Sequence, residues 1–324
     1  MEQRHLGRTG LRVSRLGLGT MAWGRESDET EAADQLKAFL DAGGTLIDTA
    51  DVYGDGESES LLGRLVEGIR CDVVIATKAV SVPQKERRFD ASRGHLLSAL
   101  DASLRRLGTD YVDLWQLHAY DDDTPIEETL AALDAAVASG KARYVGVSNY
   151  SGWQLAAAAS WQRAVPGRAP LASAQMEYSL LQRGIEREVA PAAMALGLGL
   201  LPWSPLGRGV LTGKYRTGIP SDSRGASDRF GGFVEPYFTD PSRRIVDAVA
   251  TASDGLGVAP VEVALAWVRD RPGVTAPIIG ARTAAQLRGV LAAEELVLPQ
   301  TIREALDDVS EPDLGYPDHG WNRG

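Results

Sequence analysis

The fold this sequence predicts is a closed (β/α)8 barrel, and three observations predict it. Eight short apolar segments alternate with stretches of helical periodicity along the chain. Such alternation implies parallel strands with helices packed outside them. The eight units also fill 324 residues with no linker-like gap, and barrels of this kind commonly run to about 250 residues or more. The alternative is a doubly wound sheet, which is expected to carry a Gly-rich phosphate turn after an early strand. The one candidate turn, LGLGTMAWG at 16–24, lacks the G-x-G-x-x-G spacing. The whole chain, 1–324, is therefore expected to form one barrel domain.

The elements follow in order. Residues 4–15 read as two extended pieces around Arg8-Thr9-Gly10, a hairpin signal. LGLGT (16–20) is the first barrel strand. Residues 28–42 set Ala33, Leu36 and Leu40 on one helical face. TLID (45–48) is a strand and 57–67 a helix. DVVIATK (72–78) is a buried strand. The helix over 90–107 spaces Leu97, Leu100, Leu104 and Leu107 by three, four and three. VDLWQLH (112–118) is a strand. The helix over 126–139 aligns Ile126, Leu130, Leu133 and Val137 behind Pro125. RYVGVSN (143–149) is a strand, followed by an Ala-rich helix over 152–163. ASAQMEY (172–178) is a strand, and a helix over 185–196 closes at Gly197. LGLLPWS (198–204) is a strand. Residues 206–240, rich in Gly, Arg and aromatics, are too long for an idle connection. Helices at 243–253 and 260–269, a strand at 275–281, and helices at 283–293 and 300–309 complete the pattern.

Composition narrows the function. The net charge of −10 argues against a nucleic-acid partner. The single cysteine, Cys71, excludes an internal disulfide and a Cys-based metal site and fits a reducing compartment. The first ten residues contain no apolar core of signal-peptide length, and no apolar run reaches about 18 residues. No membrane association is expected, and a cytoplasmic location is. Of the four histidines, His5, His95, His118 and His319, only His118 ends a strand, so no metal is expected. There is no G-x-S-x-G nucleophile elbow. The sequence is compatible with a homo-oligomer.

In a (β/α)8 barrel the active site is built at the carboxyl ends of the strands. Those ends carry Asp48 and Tyr53, then Lys78, then His118, then Ser148 and Asn149. Gln175 and Tyr178, Trp203 and Ser204, and Gly280 and Arg282 follow. Each residue alone has an ordinary structural explanation: a solvated cap, a core histidine, a packed tryptophan. Their joint position favours chemistry. A free phenol titrates near about 10 and is a poor acid at neutral pH. A neighbouring ammonium lowers that value, and a carboxylate holds the ammonium charged. Tyr53 is thus the candidate general acid, with Lys78 tuning it, Asp48 anchoring Lys78, and His118 orienting a carbonyl oxygen. A group that protonates a developing alkoxide needs a hydride source, which implies a nicotinamide.

The stretches RHLGRTGLRVSRLGLGT, IDTADVYG, ATK, QLH, GVSNY, QMEYSLL, PWSPLGRGVLTGKY and PIIGARTAAQL, in this order over nearly the whole chain, resemble the aldo-keto reductases. The resemblance implies a barrel closed at the bottom by the N-terminal hairpin, with C-terminal loops over the mouth. It implies reduction of an aldehyde or ketone with NADPH, NADH being the less expected coenzyme. It marks Asp48, Tyr53, Lys78 and His118 as the catalytic four. Ser148, Asn149 and Gln175 correspond to residues that hold the nicotinamide carboxamide, and Trp203 to the aromatic stacked on the ring. Gly19, Thr20, Met21 and Asp48 are expected on the cofactor from the early strands. Ser204, Pro205, Leu206, Gly209, Leu211 and Lys214 are expected from the pyrophosphate loop. Ile279, Gly280, Arg282 and Gln286 correspond to the adenosine-phosphate segment. Many relatives carry Asn at the position of Val290, a departure at the adenine contact.

The substrate pocket is expected to include Trp23, Tyr53, His118 and Trp203, with Phe230, Phe233, Tyr237 and Trp321 nearby. These aromatics point to an apolar or ring-bearing small-molecule carbonyl compound. A second expectation comes from the similar β subunits of potassium channels, which act mainly as cofactor-sensing partners. No long extra N-terminal segment precedes the hairpin, which disfavours that role.

Overall fold

The structure is a computed structural model that describes residues 1–83, 85–221, 223–228, 230–313 and 315. A hairpin opens the chain, with β1 (Gln3–His5) antiparallel to β2 (Arg12–Ser14). The barrel follows as β3 (Gly17–Gly19), α1 (Glu29–Asp41), β4 (Leu46–Asp48), α2 (Glu57–Val66) and β5 (Val74–Ala79). It continues through α3 (Arg93–Leu107), β6 (Val112–Leu117), α4 (Ile126–Ala138), β7 (Ala142–Ser148) and α5 (Gly152–Ala164). Next come β8 (Leu171–Glu177), α6 (Val189–Ala195) and β9 (Gly199–Trp203). The remainder holds α7 (Gly231–Val234), α8 (Asp240–Leu256), α9 (Pro260–Arg269), β10 (Ile278–Ile279), α10 (Ala284–Leu291) and α11 (Gln300–Val309).

The eight barrel strands are all parallel, in the order β10-β3-β4-β5-β6-β7-β8-β9. The ring closes through one bridge, Leu200 to Val274, just ahead of β10. This is the (β/α)8 barrel the sequence predicts. Inside it, Leu46, Ala76, Leu114, Ala172, Leu201 and Ala276 pack against Leu6 and Val13 of the hairpin. The hairpin therefore plugs the amino-terminal end, and only the opposite end is free to form a site.

Two elements are shorter than their sequence pattern. The last strand covers two residues rather than 275–281, because Pro277 has no N–H to give a ladder. The helix expected over 185–196 is split, with a 3-10 turn at Gly184–Glu186 and α6 starting at Val189. Pro191 is tolerated only in a first turn, which fixes that start. The stretch 206–240 is not a bare loop. It contains 3-10 turns at Gly207–Thr212, Arg224–Ala226 and Glu235–Tyr237 around the short α7.

Candidate active site

Asp48 is the last residue of β4, and the chain then turns sharply. Tyr53 opens a 3-10 turn in which Gly54, Asp55 and Gly56 all have positive φ, at 62°, 58° and 96°. Gly56 is required twice. Its left-handed φ favours glycine, and a Cβ there would meet Arg106 Cδ at 2.8 Å. This compact turn sets the Tyr53 side chain back over the end of β5.

Lys78 waits there. Its ammonium donates to Asp48 Oδ1 at 2.6 Å and to the Thr49 carbonyl at 2.7 Å, with both side chains of the ion pair almost sealed from solvent. The second oxygen of Asp48 accepts from Gln175 Nε2 at 2.8 Å. Burial works against the Lys78 charge, but Asp48, then Tyr53, outweigh it and hold its pKa above the ordinary value. The ammonium lies 5.0 Å from the Tyr53 ring centroid. From residue types alone, Lys78 is expected to lower the tyrosine pKa. Burial of the phenol is the larger effect and carries the pKa above its usual value, with Lys78 opposing it. Tyr53 is therefore a phenol that keeps its proton, next to a fixed cation.

The His118 ring meets Tyr53 edge to face, centroids 6.0 Å apart at 81°. Desolvation, reinforced by the Lys78 charge, pushes its pKa down to about 3. The imidazole is neutral at working pH, and its Nδ1 is buried with no hydrogen-bond partner among the described residues.

The next strand ends continue the wall. Ser148 Oγ donates to the Gln175 carbonyl at 2.8 Å. Asn149, in the left-handed region at φ 57°, donates from Nδ2 to the His118 carbonyl at 2.9 Å and accepts Trp203 Nε1 at 3.0 Å. Phe233 stacks parallel to Trp203 at 6.4 Å. Val80, Asn149 and Ser204 all have positive φ without being glycine, and all three sit where a strand hands over to its loop. Backbone strain of this kind is common at functional sites.

These groups open on a cleft of about 660 Å³, in the range of cofactor sites. Its lining includes Gly19, Met21, Asp48, Tyr53, His118, Ser148, Asn149, Gln175 and Trp203. Ser204, Pro205, Leu206, Gly209, Lys214, Ile279, Gly280, Arg282 and Gln286 line it as well. Lys78 lies beneath Tyr53 and Asp48. A second cavity, of about 810 Å³, adjoins Tyr53 and is lined by Arg25, Val52, Asp55, Pro83, Ser223 and Phe230, among others. An Arg25–Asp55 ion pair of 2.8 Å crosses its wall, so this space is more polar than the aromatics of the sequence imply.

Several expected residues sit elsewhere. Trp23 is fully buried in the core, its Nε1 on Gln35 Oε1 at 3.0 Å, and it lines neither cavity. Thr20 is buried, 2.7 Å from Ser58 Oγ, and Leu211 is packed in the core. Tyr237 donates to Glu177 at 2.8 Å and lines neither cavity. Trp321 lies outside the described residues.

Phe233 lines the cleft as expected, and so do Arg208, Arg224 and the Ala259-Pro260-Val261 start of α9, which the sequence did not mark. Arg208 grips Glu177 with two nitrogens at 2.8 and 2.6 Å and lies 3.8 Å over the Phe233 ring.

The cleft fits a dinucleotide on its own chemistry. Among the described residues of the lining, Lys214, Arg224 and Arg282 add positive charge, Arg208 is balanced by Glu177, and the carboxylate Asp48 is already paired with Lys78. In a protein of net charge −10, this is a local reversal of sign suited to phosphates. The Gly280 wall is open, with nothing closer than 3.8 Å to a Cβ built there.

A tyrosine, a lysine and a carboxylate stand at the mouth of a cationic cleft at the end of the barrel where such folds build their sites. Comparison with known proteins gives the family. The profile of the Aldo/keto reductase family matches residues 15–311, and the chain belongs to that family. It is 39% identical to the uncharacterized oxidoreductase YrpG of Bacillus subtilis, over 95% of this chain and 96% of that protein. It is 35% identical to the aldo-keto reductase YhdN of the same organism, over 90% and 88%. It is also 36% identical to a probable voltage-gated potassium channel subunit beta of Oryza sativa, over 95% of each. The chain is thus an NAD(P)-dependent oxidoreductase of this family. Among the described residues no single helix is long and apolar enough to cross a membrane.

Proposed function

We propose that this protein reduces an aldehyde or ketone to an alcohol with NADPH. The observation that carries the reading is the buried Lys78–Asp48 pair behind Tyr53, at the wall of a cleft whose charges suit phosphates. When bound, the reduced nicotinamide supplies a hydride to the carbonyl carbon. Tyr53 holds the proton that the carbonyl oxygen takes up. Lys78 stabilises the phenolate left behind, and Asp48 keeps Lys78 charged and fixed. The neutral His118 offers an uncharged N–H for orienting the carbonyl oxygen. Ser148, Asn149 and Gln175 are the polar groups for the carboxamide, and Trp203 is the platform for the ring. Lys214 and Arg282 are the cations for the pyrophosphate and the extra phosphate of NADP. Arg282 suits the latter because its planar fork takes phosphate oxygens in pairs.

The test is oxidation of NADPH and of NADH over a panel of aldehydes and ketones, with Tyr53→Phe as the control. Turnover with NADPH is expected, falling about 10²–10⁴-fold in the variant while NADPH still quenches tryptophan fluorescence. An active Tyr53→Phe enzyme refutes the assigned role.

The relatives named as potassium channel β subunits favour one further reading, a cofactor-sensing binding partner. Tight NADPH binding with no turnover on the panel, together with co-purification of a membrane protein, would support it.

A further inference from the structure

Asp51 lies two residues before Tyr53 and has no part in the chemistry assigned above. Its backbone N–H donates to the Lys78 carbonyl at 3.1 Å, tying it to the catalytic strand. One carboxyl oxygen, Oδ1, is buried with no hydrogen-bond partner among the described residues. Within electrostatic reach is Glu59 of α2, fully buried, which accepts Thr77 Oγ1 at 2.5 Å and Arg106 Nε at 2.7 Å. Arg106 of α3 also donates to Ser103 Oγ at 3.2 Å.

The charges around this turn do not balance. Asp55 is paired with Arg25; the charged groups that bear on Asp51 and Tyr53 are the carboxyls Asp48, Asp51 and Glu59 and the cations Lys78 and Arg106. Lys78 is committed to Asp48, and Arg106 to Glu59. Among the described residues Asp51 is the carboxyl left without a cation, and a carboxylate with one oxygen buried and unpaired favours its protonated form.

We propose that Asp51 is a positioning residue for Tyr53, that its carboxyl carries a proton in the competent enzyme, and that losing this proton weakens Tyr53 as a donor. The proposal rests on the reductase reading. Burial, then the Glu59 charge, push the Asp51 pKa up to about 7, against Arg106, the Val52 N–H and Lys78. An anionic Asp51 raises the Tyr53 pKa further and draws on the Lys78 charge that stabilises the phenolate.

The experiment compares the wild type with Asp51→Asn, which keeps the shape and removes the ionisation. In the wild type kcat/KM is expected to fall about three- to tenfold as pH rises through about 7. In Asp51→Asn that step disappears. An identical step in both proteins, or no step in the wild type, overturns the proposal.

Infrared spectra of the wild type supply a reading free of turnover and of any folding defect in the variant. The band of a buried neutral carboxylic acid should be present below pH 7 and lost above it. Turnover without such a titrating band overturns this proposal and leaves the reductase reading standing. A titrating band without turnover on any carbonyl overturns the reductase reading, and the role of Asp51 in it.

Discussion

The strand-end cluster and the 206–240 arm face the same cleft and are held in opposite ways. Asp48 and Lys78 sit on β-strands, almost sealed from water, and each is fixed by two or more short polar contacts. Among its described residues the arm has no strand. It is a series of single turns joined at left-handed residues such as Arg208 and Gly209. It is tied to the barrel by the Arg208–Glu177 pair, the Tyr237 hydroxyl on Glu177 and the Phe233 ring on Trp203, with Val210, Leu211 and Val234 as its apolar anchors. On the proposed reading, chemistry would rest on the rigid half and recognition on the turns of the arm.

Lys78→Met tests the rigid half hardest. It leaves Asp48 buried without its cation, so stability should fall by about 3–5 kcal/mol in urea titrations, with turnover abolished. Arg208→Ala tests the arm. It should weaken NADPH binding about tenfold by calorimetry, the loss of a bidentate, partly buried pair, and speed proteolysis within 206–240. The melting temperature should move far less than in Lys78→Met. A collapse of stability equal to that of Lys78→Met would erase the distinction.

The pH behaviour of His118 sharpens the comparison further. Its folded pKa lies near 3, below the roughly 6.5 of a free imidazole. The folded state binds this proton less well than the unfolded one. Its contribution to stability is therefore present above about 6.5 and drains away as pH falls toward about 3. His118→Gln should flatten that acid limb in thermal melts at stepped pH. Trp203→Phe should be the mildest change, about threefold in NADPH affinity, since an aromatic face remains but the Nε1 bond to Asn149 is lost.

The two halves also differed in how far the sequence revealed them. Asp48, Tyr53, Lys78 and His118 stand at the ends of apolar runs, where period and punctuation locate a residue without coordinates. Arg208 could be read only as one arginine in a Gly-rich stretch, because its partner Glu177 lies 31 positions away. The start of α9 was invisible as cleft wall, since nothing in Ala259-Pro260-Val261 marks a surface. Trp23 misled for a related reason. An aromatic just after a strand can face the mouth or the core, and its Nε1 found Gln35 in the core. The Tyr53 pKa came out opposite in direction because residue types give the sign of a neighbouring charge but not the depth of burial that competes with it.

The ring of strands is knit unevenly. Most neighbours share three or more paired residues, whereas β10 pairs with β3 over two, and the closure to β9 is one bridge from Leu200 to Val274. That seam runs directly below Trp203 on one side and Ile279-Gly280 on the other, the two banks of the cleft. On the proposed reading, a dinucleotide laid across it would act as a suture. The empty protein should breathe there first, and deuterium should enter the amides of 198–203 and 275–281 ahead of the rest of the barrel. Filling the cleft should slow that entry, so that coenzyme supply governs how long the molecule survives as well as how fast it turns over.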